Sequence, residues 1–408
     1  MKVLIANWVY NWGSTGYILR DLRDELTKQG IDVVTVCGVN LGEKDDSVYC
    51  VSPRMEKYLF AKASHFGGSH FDGSPFAAKR LIKIIKKEKP DVVHFHLMHC
   101  NCLNFFMVLK FLSANNIKTV ITHHAEINYT GGCGYTFECK KWIGEGCLGC
   151  EKPKEVTSNI LFANPHRNWK RLYKDLSSFS SQNLVYTTVS PWLKNQFVKS
   201  PISKGYRCEV VMNGIDTNIF KKRAINDRMK ELGLNPYTYI VYVSAMFDPA
   251  NINDIKGGYY LNKVALQMPD QRFLVVATKS ANCDNLPSNI ILWGNAENQK
   301  ELAELYSNAK LTLLTSRKET FSMICAESLC CGTRVVGFEA GGPETISLKE
   351  YSEFVEYPDV RKLLESIRKM MKEEYDSNQL LKMAKECYSR KKMADNYISI
   401  YELLLLSR

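Results

Sequence analysis

Twice along this chain, short runs of β-branched and apolar residues alternate with amphipathic helical patterns, and this alternation restricts the fold more than any other feature. The first series opens KVLIANWVY, passes through the turn Gly13-Ser14-Thr15-Gly16 and the helical pattern YILRDLRDELTKQG, where Gly30 is a C-cap, and returns as IDVVTVCGV. Strand, turn, helix and strand make a βαβ unit. The helical stretch FAAKRLIKIIKKEKP leads into DVVHFHLMH, and LNFFMVLKFLSANN into KTVITHHA. That order predicts a doubly wound parallel sheet.

The pattern restarts with LVYTTVS and CEVVMNGID, crosses a charged stretch at 221–236, and continues through YTYIVYVSAMF, RFLVVAT, NIILWG, KLTLLTS and TRVVGF. A chain of 408 residues with 45% apolar composition is too long for one ordinary core. Two α/β domains are therefore expected, at 1–200 and 201–390, with ligands at the carboxyl ends of the strands. The amphipathic segment MADNYISIYELLLLSR, within 391–408, is expected to return to the first domain. A Cys- and Gly-rich insertion at 130–152 is too irregular for either series.

No run of apolar residues is long enough to cross a membrane, and the N-terminal MKVLIANWVYNWG lacks the apolar core and cleavage site of a signal peptide, so a cytoplasmic protein is expected. Fourteen cysteines spread through so large a chain then read as reduced thiols, most of them core residues such as Cys37, Cys208 and Cys325. The net charge of +11 comes from lysines and arginines scattered over helical faces. It suits anionic partners: a nucleotide diphosphate, a polyprenyl-diphosphate acceptor, or peripheral contact with an anionic membrane. Nucleic acid is not expected, because no basic and aromatic stripe is present.

In SRKETFSMICAESLCCGTRVVGF a strand precedes Glu319, and a helix begins near Phe321 and carries Glu327. Free N–H groups around Thr320, Phe321 and Ser322 suit phosphate, while the flanking carboxylates can accept hydrogen bonds from sugar and ribose hydroxyls. Alone, two such glutamates read equally well as a helix cap and a surface residue. This stretch resembles the Glu-seven-residues-Glu signature of retaining glycosyltransferases of the GT-B class, family 4. NGID at 213–216, Lys256-Gly257 and GGPETI at 341–346 are similar to three further family motifs, in the same order.

The resemblance implies the GT-B fold, with two Rossmann-like domains facing each other across a cleft. It also implies transfer of a sugar from a nucleotide-diphosphate donor, UDP- or GDP-linked, to a glycan or lipid-linked acceptor in surface polysaccharide synthesis. Residue by residue it assigns Glu319 to the donor sugar, Glu327 to the ribose and Lys256 to the diphosphate, and it implies no catalytic metal or cofactor. A lysine followed by two glycines at a helix entrance can indeed neutralise charge growing on a leaving diphosphate. Family members usually carry an Arg shortly before this Lys, whereas here no Arg follows VYVSAMF until Arg272.

All eight histidines fall in the first 166 residues, and His94, His96, His99, His123 and His124 cluster at two predicted strand ends. A histidine within a strand is commonly a satisfied core residue, and His94 and His96 also read that way. The resemblance points to His124 as the strand-end histidine near donor sugar and acceptor, with Ala125 where an Asp often stands. The turn Ser14 to Gly16 lacks the full dinucleotide fingerprint and, by resemblance, faces the donor phosphates.

Cys133, Cys139, Cys147 and Cys150 bring four thiols into eighteen residues of Gly-rich chain, a spacing that predicts a structural zinc site. The insertion also looks similar to a segment of colanic acid and O-antigen transferases in family 4. Two rival readings stay open: an NAD-dependent sugar-nucleotide epimerase or dehydrogenase using the first domain, and a degenerate nucleotide-sugar or polysaccharide binding protein.

Overall fold

The computed structural model of the protein describes residues 1–406 apart from 43–44, 65, 67–68, 98–100, 158 and 160. Thirteen strands are described: β1 Lys2–Asn7, β2 Asp32–Cys37, β3 Val48–Cys50, β4 Val92–Phe95, β5 Thr119–His123, β6 Leu184–Thr188, β7 Arg207–Val210, β8 Tyr239–Phe247, β9 Arg272–Ser280, β10 Ile290–Gly294, β11 Leu311–Leu314, β12 Val335–Phe338 and β13 Ser352–Val355. They form one sheet in the order β3-β2-β1-β4-β5-β6-β7 and another in the order β10-β9-β8-β11-β12-β13. Every ladder is parallel.

Each sheet runs outward from its first strand in one direction and then reverses to the other side, which is the doubly wound arrangement. The reversal falls between β1 and β4 in one sheet and between β8 and β11 in the other. Helices cover both faces of such sheets, so central strands read as near-continuous apolar runs. β4, β5, β11 and β12 are buried at every position.

The chain divides into two compact units, Met1–Gly214 with Met393–Arg408, and Ile215–Lys392. The segments LVYTTVS and CEVVMNGID, whose apolar runs read as the start of the second series, instead supply β6 and β7 to the first sheet. A parallel strand carries the same β-branched signature whichever sheet it joins, and only pairing decides which.

Helix Gly13–Lys28 buries Ile18, Leu19, Leu22 and Leu26, the helical spacing expected of a face laid on a sheet. Helix Pro75–Glu88 starts on Pro75, with the Ser74 hydroxyl accepting from the N–H of Phe76 and Ala77, and stops at Lys89 in the left-handed region. In helix Arg390–Leu406, Tyr397 and Tyr401 are fully buried against the first sheet. The Tyr401 hydroxyl lies 2.7 Å from His94 Nδ1, and the Tyr397 hydroxyl 3.0 Å from Thr122 Oγ1.

Candidate active site

In the unit Ile215–Lys392, the loops that leave β8, β11 and β12 come together at the point where the strand order reverses. The loop after β8 ends in Lys256 and Gly257. Gly257 sits at φ +76° and caps helix Gly258–Leu266, and a Cβ there would collide with the carbonyl oxygen of Thr315. Only glycine meets both demands. The Thr315 hydroxyl donates to the Gly257 carbonyl at 2.8 Å, the Tyr242 hydroxyl donates to the Lys256 carbonyl at 3.0 Å, and the Arg317 N–H donates to the Ile255 carbonyl at 2.8 Å.

Lys256 is thereby held with its Nζ 2.5 Å from Glu319 Oε1, which also accepts from the Ser316 hydroxyl at 3.1 Å. The Lys256 side chain keeps 29% of its surface exposed and Glu319 only 10%, so the pair has one open side. The Glu319 backbone is clamped on both faces by the loop after β12. Its N–H donates to the Ala340 carbonyl and its carbonyl accepts from the Gly342 N–H, both at 2.8 Å. A Cβ on Gly342 would come within 2.5 Å of the Phe321 nitrogen. The Glu344 carboxylate holds this loop from behind by accepting from the N–H groups of Ala340 and Gly341 at 3.1 and 2.7 Å.

Thr320, Phe321 and Ser322 are buried and lead into helix Met323–Cys330. Ser322 stands at φ +80°, an uncommon conformation for a non-glycine residue, and its hydroxyl accepts from the Cys325 N–H at 3.3 Å. Glu327 is buried inside that helix. Burial pushes its carboxyl up to about 7, against a weak opposing bond from the Tyr306 hydroxyl at 3.5 Å.

The structure thus brings Lys256, Glu319, Thr320, Phe321 and Ser322 to one loop cluster, with Glu327 one helix turn or so behind them. Sequence reasoning did not single out Tyr242, Thr315, Ser316 or Tyr306. No local spacing marks Tyr242, Thr315 or Tyr306, which act on residues 14, 58 and 21 positions away, while Ser316 reaches Glu319 three residues along its own loop.

The other unit has its own reversal point, between β1 and β4. Asn7, fully buried at the end of β1, donates from Nδ2 to the Val9 carbonyl at 2.9 Å and to Thr15 Oγ1 at 3.4 Å, and its Oδ1 accepts from the Leu97 N–H at 3.1 Å. It fixes the turn that carries Gly16, whose carbonyl accepts from the Asn11 N–H at 3.1 Å.

The histidines form a buried group. His96 Nδ1 lies 2.8 Å from His124 Nε2, and His94 Nε2 lies 2.7 Å from Thr122 Oγ1. His123 stacks on Tyr186 and packs against Phe197, and neither of its ring nitrogens has a hydrogen-bond partner. Burial lowers His94, His123 and His124 to about 3 and holds His96 well below its usual range, so all four are neutral at pH 7. His99 lies outside the described residues.

The four insertion cysteines correct the expectation of zinc. Among the described residues no group of three or more His, Cys, Asp or Glu side chains could hold a metal ion. Cys147 adopts φ +57° and its Sγ accepts from the Gly131 N–H at 3.2 Å, while Cys139 is exposed. Burial, reinforced by neighbouring thiols, pushes Cys133 up to about 12, and burial pushes Cys147 up to about 11. Zinc would require all four sulfurs to converge on one point as thiolates.

Comparison with known proteins agrees with this geometry. The family description Glycosyltransferase Family 4 matches residues 15–219, and Glycosyl transferases group 1 matches residues 276–390. The chain is 23% identical to N-acetyl-alpha-D-glucosaminyl L-malate synthase of Bacillus anthracis, covering 99% of this chain and 97% of that protein. It is 20% identical to the colanic acid biosynthesis glycosyl transferase WcaC of Escherichia coli K12, covering 99% and 100%. Its fold is similar to that of Anabaena HepE in complex with UDP-glucose, with a TM-score of 0.62 at 14% identity over 98% of this chain and 99% of that one. The chain belongs to the family 4 glycosyltransferases, with the GT-B fold and a C-terminal domain of the group 1 type.

Proposed function

We propose that the protein is a retaining glycosyltransferase that moves a sugar from a nucleotide-diphosphate donor to a glycan or polyprenyl-diphosphate-linked acceptor in surface polysaccharide assembly. The observation that carries this reading is the Lys256–Glu319 pair, open to solvent on one side at the strand-order reversal and beside the N–H groups that begin helix Met323–Cys330. In this reading Glu319 orients the donor sugar through its hydroxyls. Lys256 and the backbone N–H groups of Thr320, Phe321 and Ser322 take up the charge that grows on the departing diphosphate, with no metal assigned to that task. Glu327 accepts from the ribose, Gly16 lets its turn approach the donor phosphates, and His124 as a neutral imidazole lines the acceptor side.

UDP as the carrier is supported by the UDP-glucose held by HepE, and an α-linked product by the name of the Bacillus relative. A glycan acceptor is supported by the name of WcaC. Retention by double displacement needs a nucleophilic carboxylate about 5 Å from an acid partner. Glu319 is instead tied to Lys256, so the leaving phosphate is assigned the proton of the acceptor hydroxyl. Incubation with a panel of nucleotide sugars, followed by NMR of the anomeric configuration, tests this. An inverted product would remove the reading, and binding without transfer or hydrolysis would mark a degenerate site.

Two further outcomes are expected. Glu327→Ala should weaken binding of UDP-glucose about tenfold or more, the usual loss when a charged hydrogen-bond acceptor goes. Because the carboxylate is the form that accepts from the ribose, affinity of the wild type should fall as pH drops through about 7, and the Ala variant should lose that dependence. Isothermal titration across this range reads both. Membrane contact follows from the charge of +11 rather than from any span, since no helix among the described residues is long and apolar enough to cross a bilayer. Flotation should recover the protein with anionic liposomes at low salt and release it at high salt.

A further inference from the structure

Cys37 ends β2 and Cys50 ends β3, and the parallel register makes them direct partners. Neighbouring strands run about 4.8 Å apart, within the Cα separation of roughly 4.4–6.8 Å that a disulfide spans. Cys37 is buried and Cys50 exposed, and both are free. The Cys50 sulfur stands 3.7 Å from the Gly38 carbonyl and 3.9 Å from that of Ser52. A shallow recess of about 360 Å³ opens beside it, lined by Asn40, Gly42, Ser52 and Arg54 among others.

The environment separates the two thiols chemically. The hydrogen bond from Cys37 does most to pull Cys50 down to about 6, helped by the N–H groups of Asn40 and Ser52 and the charge of Arg80. The same bond and burial drive Cys37 the other way. One member is thus pulled toward the thiolate and the other held as the thiol, the arrangement of an attacking and a resolving cysteine.

We propose that Cys50 is a hydroperoxide-reactive site that closes a reversible disulfide with Cys37. In the first step the Cys50 thiolate attacks one peroxide oxygen; the S–O bond forms, the O–O bond breaks, and the departing alkoxide takes a proton from water to leave as the alcohol. Cys37 then loses its proton and attacks the sulfenic sulfur; the S–S bond forms and hydroxide leaves, taking up that proton as water. Two thiols have lost two electrons and the peroxide has gained them.

The link would fasten the chain at a point bonded to the end of β1. The Gly38 N–H donates to the Asn7 carbonyl and the Val39 N–H to the Trp8 carbonyl, both at 2.9 Å. The state of the pair is therefore felt at the turn carrying Gly16.

The test treats the reduced full-length protein with hydrogen peroxide at pH 7, alkylates what remains, and maps peptides without reduction. The expected product has lost two hydrogens, joins the Cys37 peptide to the Cys50 peptide, and reverts with dithiothreitol. Cys50→Ser should lower the rate of thiol loss about tenfold or more, and Cys37→Ser should leave a sulfenic acid at Cys50 that dimedone traps. Wild-type mapping alone decides the matter if a variant fails to fold. A link from Cys37 to Cys102, a dimer through Cys50, or a Cys50 no faster than the exposed Cys139 would overturn the proposal.

Discussion

Acidification should unfold the unit that holds β1 to β7, with a midpoint near pH 5 and a steep slope. His94, His96, His123 and His124 are buried neutral, and their folded-state values lie far below the 6.5 of a free imidazole. Above that value neither state carries extra protons, so the stabilising contribution is complete. As pH falls below it, the unfolded chain takes up protons that the folded one refuses until about 3. Each imidazole then costs about 1.4 kcal/mol per pH unit, and four together on the order of 5 kcal/mol per unit. Against a total stability of roughly 5–15 kcal/mol for a typical protein, one to three units of acidification are enough.

A pH titration followed by near-ultraviolet circular dichroism reads the transition. His123→Phe should move the midpoint to lower pH, because it removes one site of proton uptake and two buried nitrogens that lack partners, while keeping a ring among Tyr129, Tyr186 and Phe197. A flat profile down to pH 4 would contradict the neutral assignment.

Lys256→Ala should lower turnover about a hundredfold or more, the size of effect seen when one preorganised partner of a developing oxyanion is lost. Lys256 is engaged with Glu319 at 2.5 Å, and the ammonium can turn to an incoming diphosphate only by sharing or leaving that contact. The carboxylate keeps Ser316 as a second donor when the lysine moves. With the lysine partly exposed, the pair itself should be worth no more than about 1 kcal/mol to folding. Melting temperature and turnover should therefore separate: the variant keeps its fold and loses catalysis. Steady-state kinetics on Lys256→Ala, Glu319→Ala and the double variant test this, and unchanged turnover in the lysine variant would refute the assignment.

The strand and helix alternation made both sheets legible, since buried parallel strands announce themselves as apolar runs whatever their partners. It could not say which sheet β6 and β7 would join, because that depends on pairing with β5 rather than on their own residues. The glutamates and the lysine of the candidate site were legible only as motifs. That Lys256 and Glu319 touch across 63 positions, with Tyr242 and Thr315 fixing the lysine's loop, is written in the winding of the sheet. The cysteine spacing misled for a related reason. Sequence gives nearness along the chain, while coordination depends on where each sulfur ends up, and among the described residues no group of side chains that could hold a metal ion forms.

The helix Arg390–Leu406 begins in one unit and from Met393 belongs to the other, so the second unit is an insertion within the first. During synthesis the strands β1 to β7 leave the ribosome first, yet Tyr397 and Tyr401, the partners of Thr122 and His94, come after the whole of Ile215–Lys392 has been made. The inserted unit can thus finish folding while the earlier one still waits for its closing element. The first part of the polypeptide to be born is the last to be completed, and a chaperone that guards this nascent chain would have the half-built β1–β7 sheet as its client.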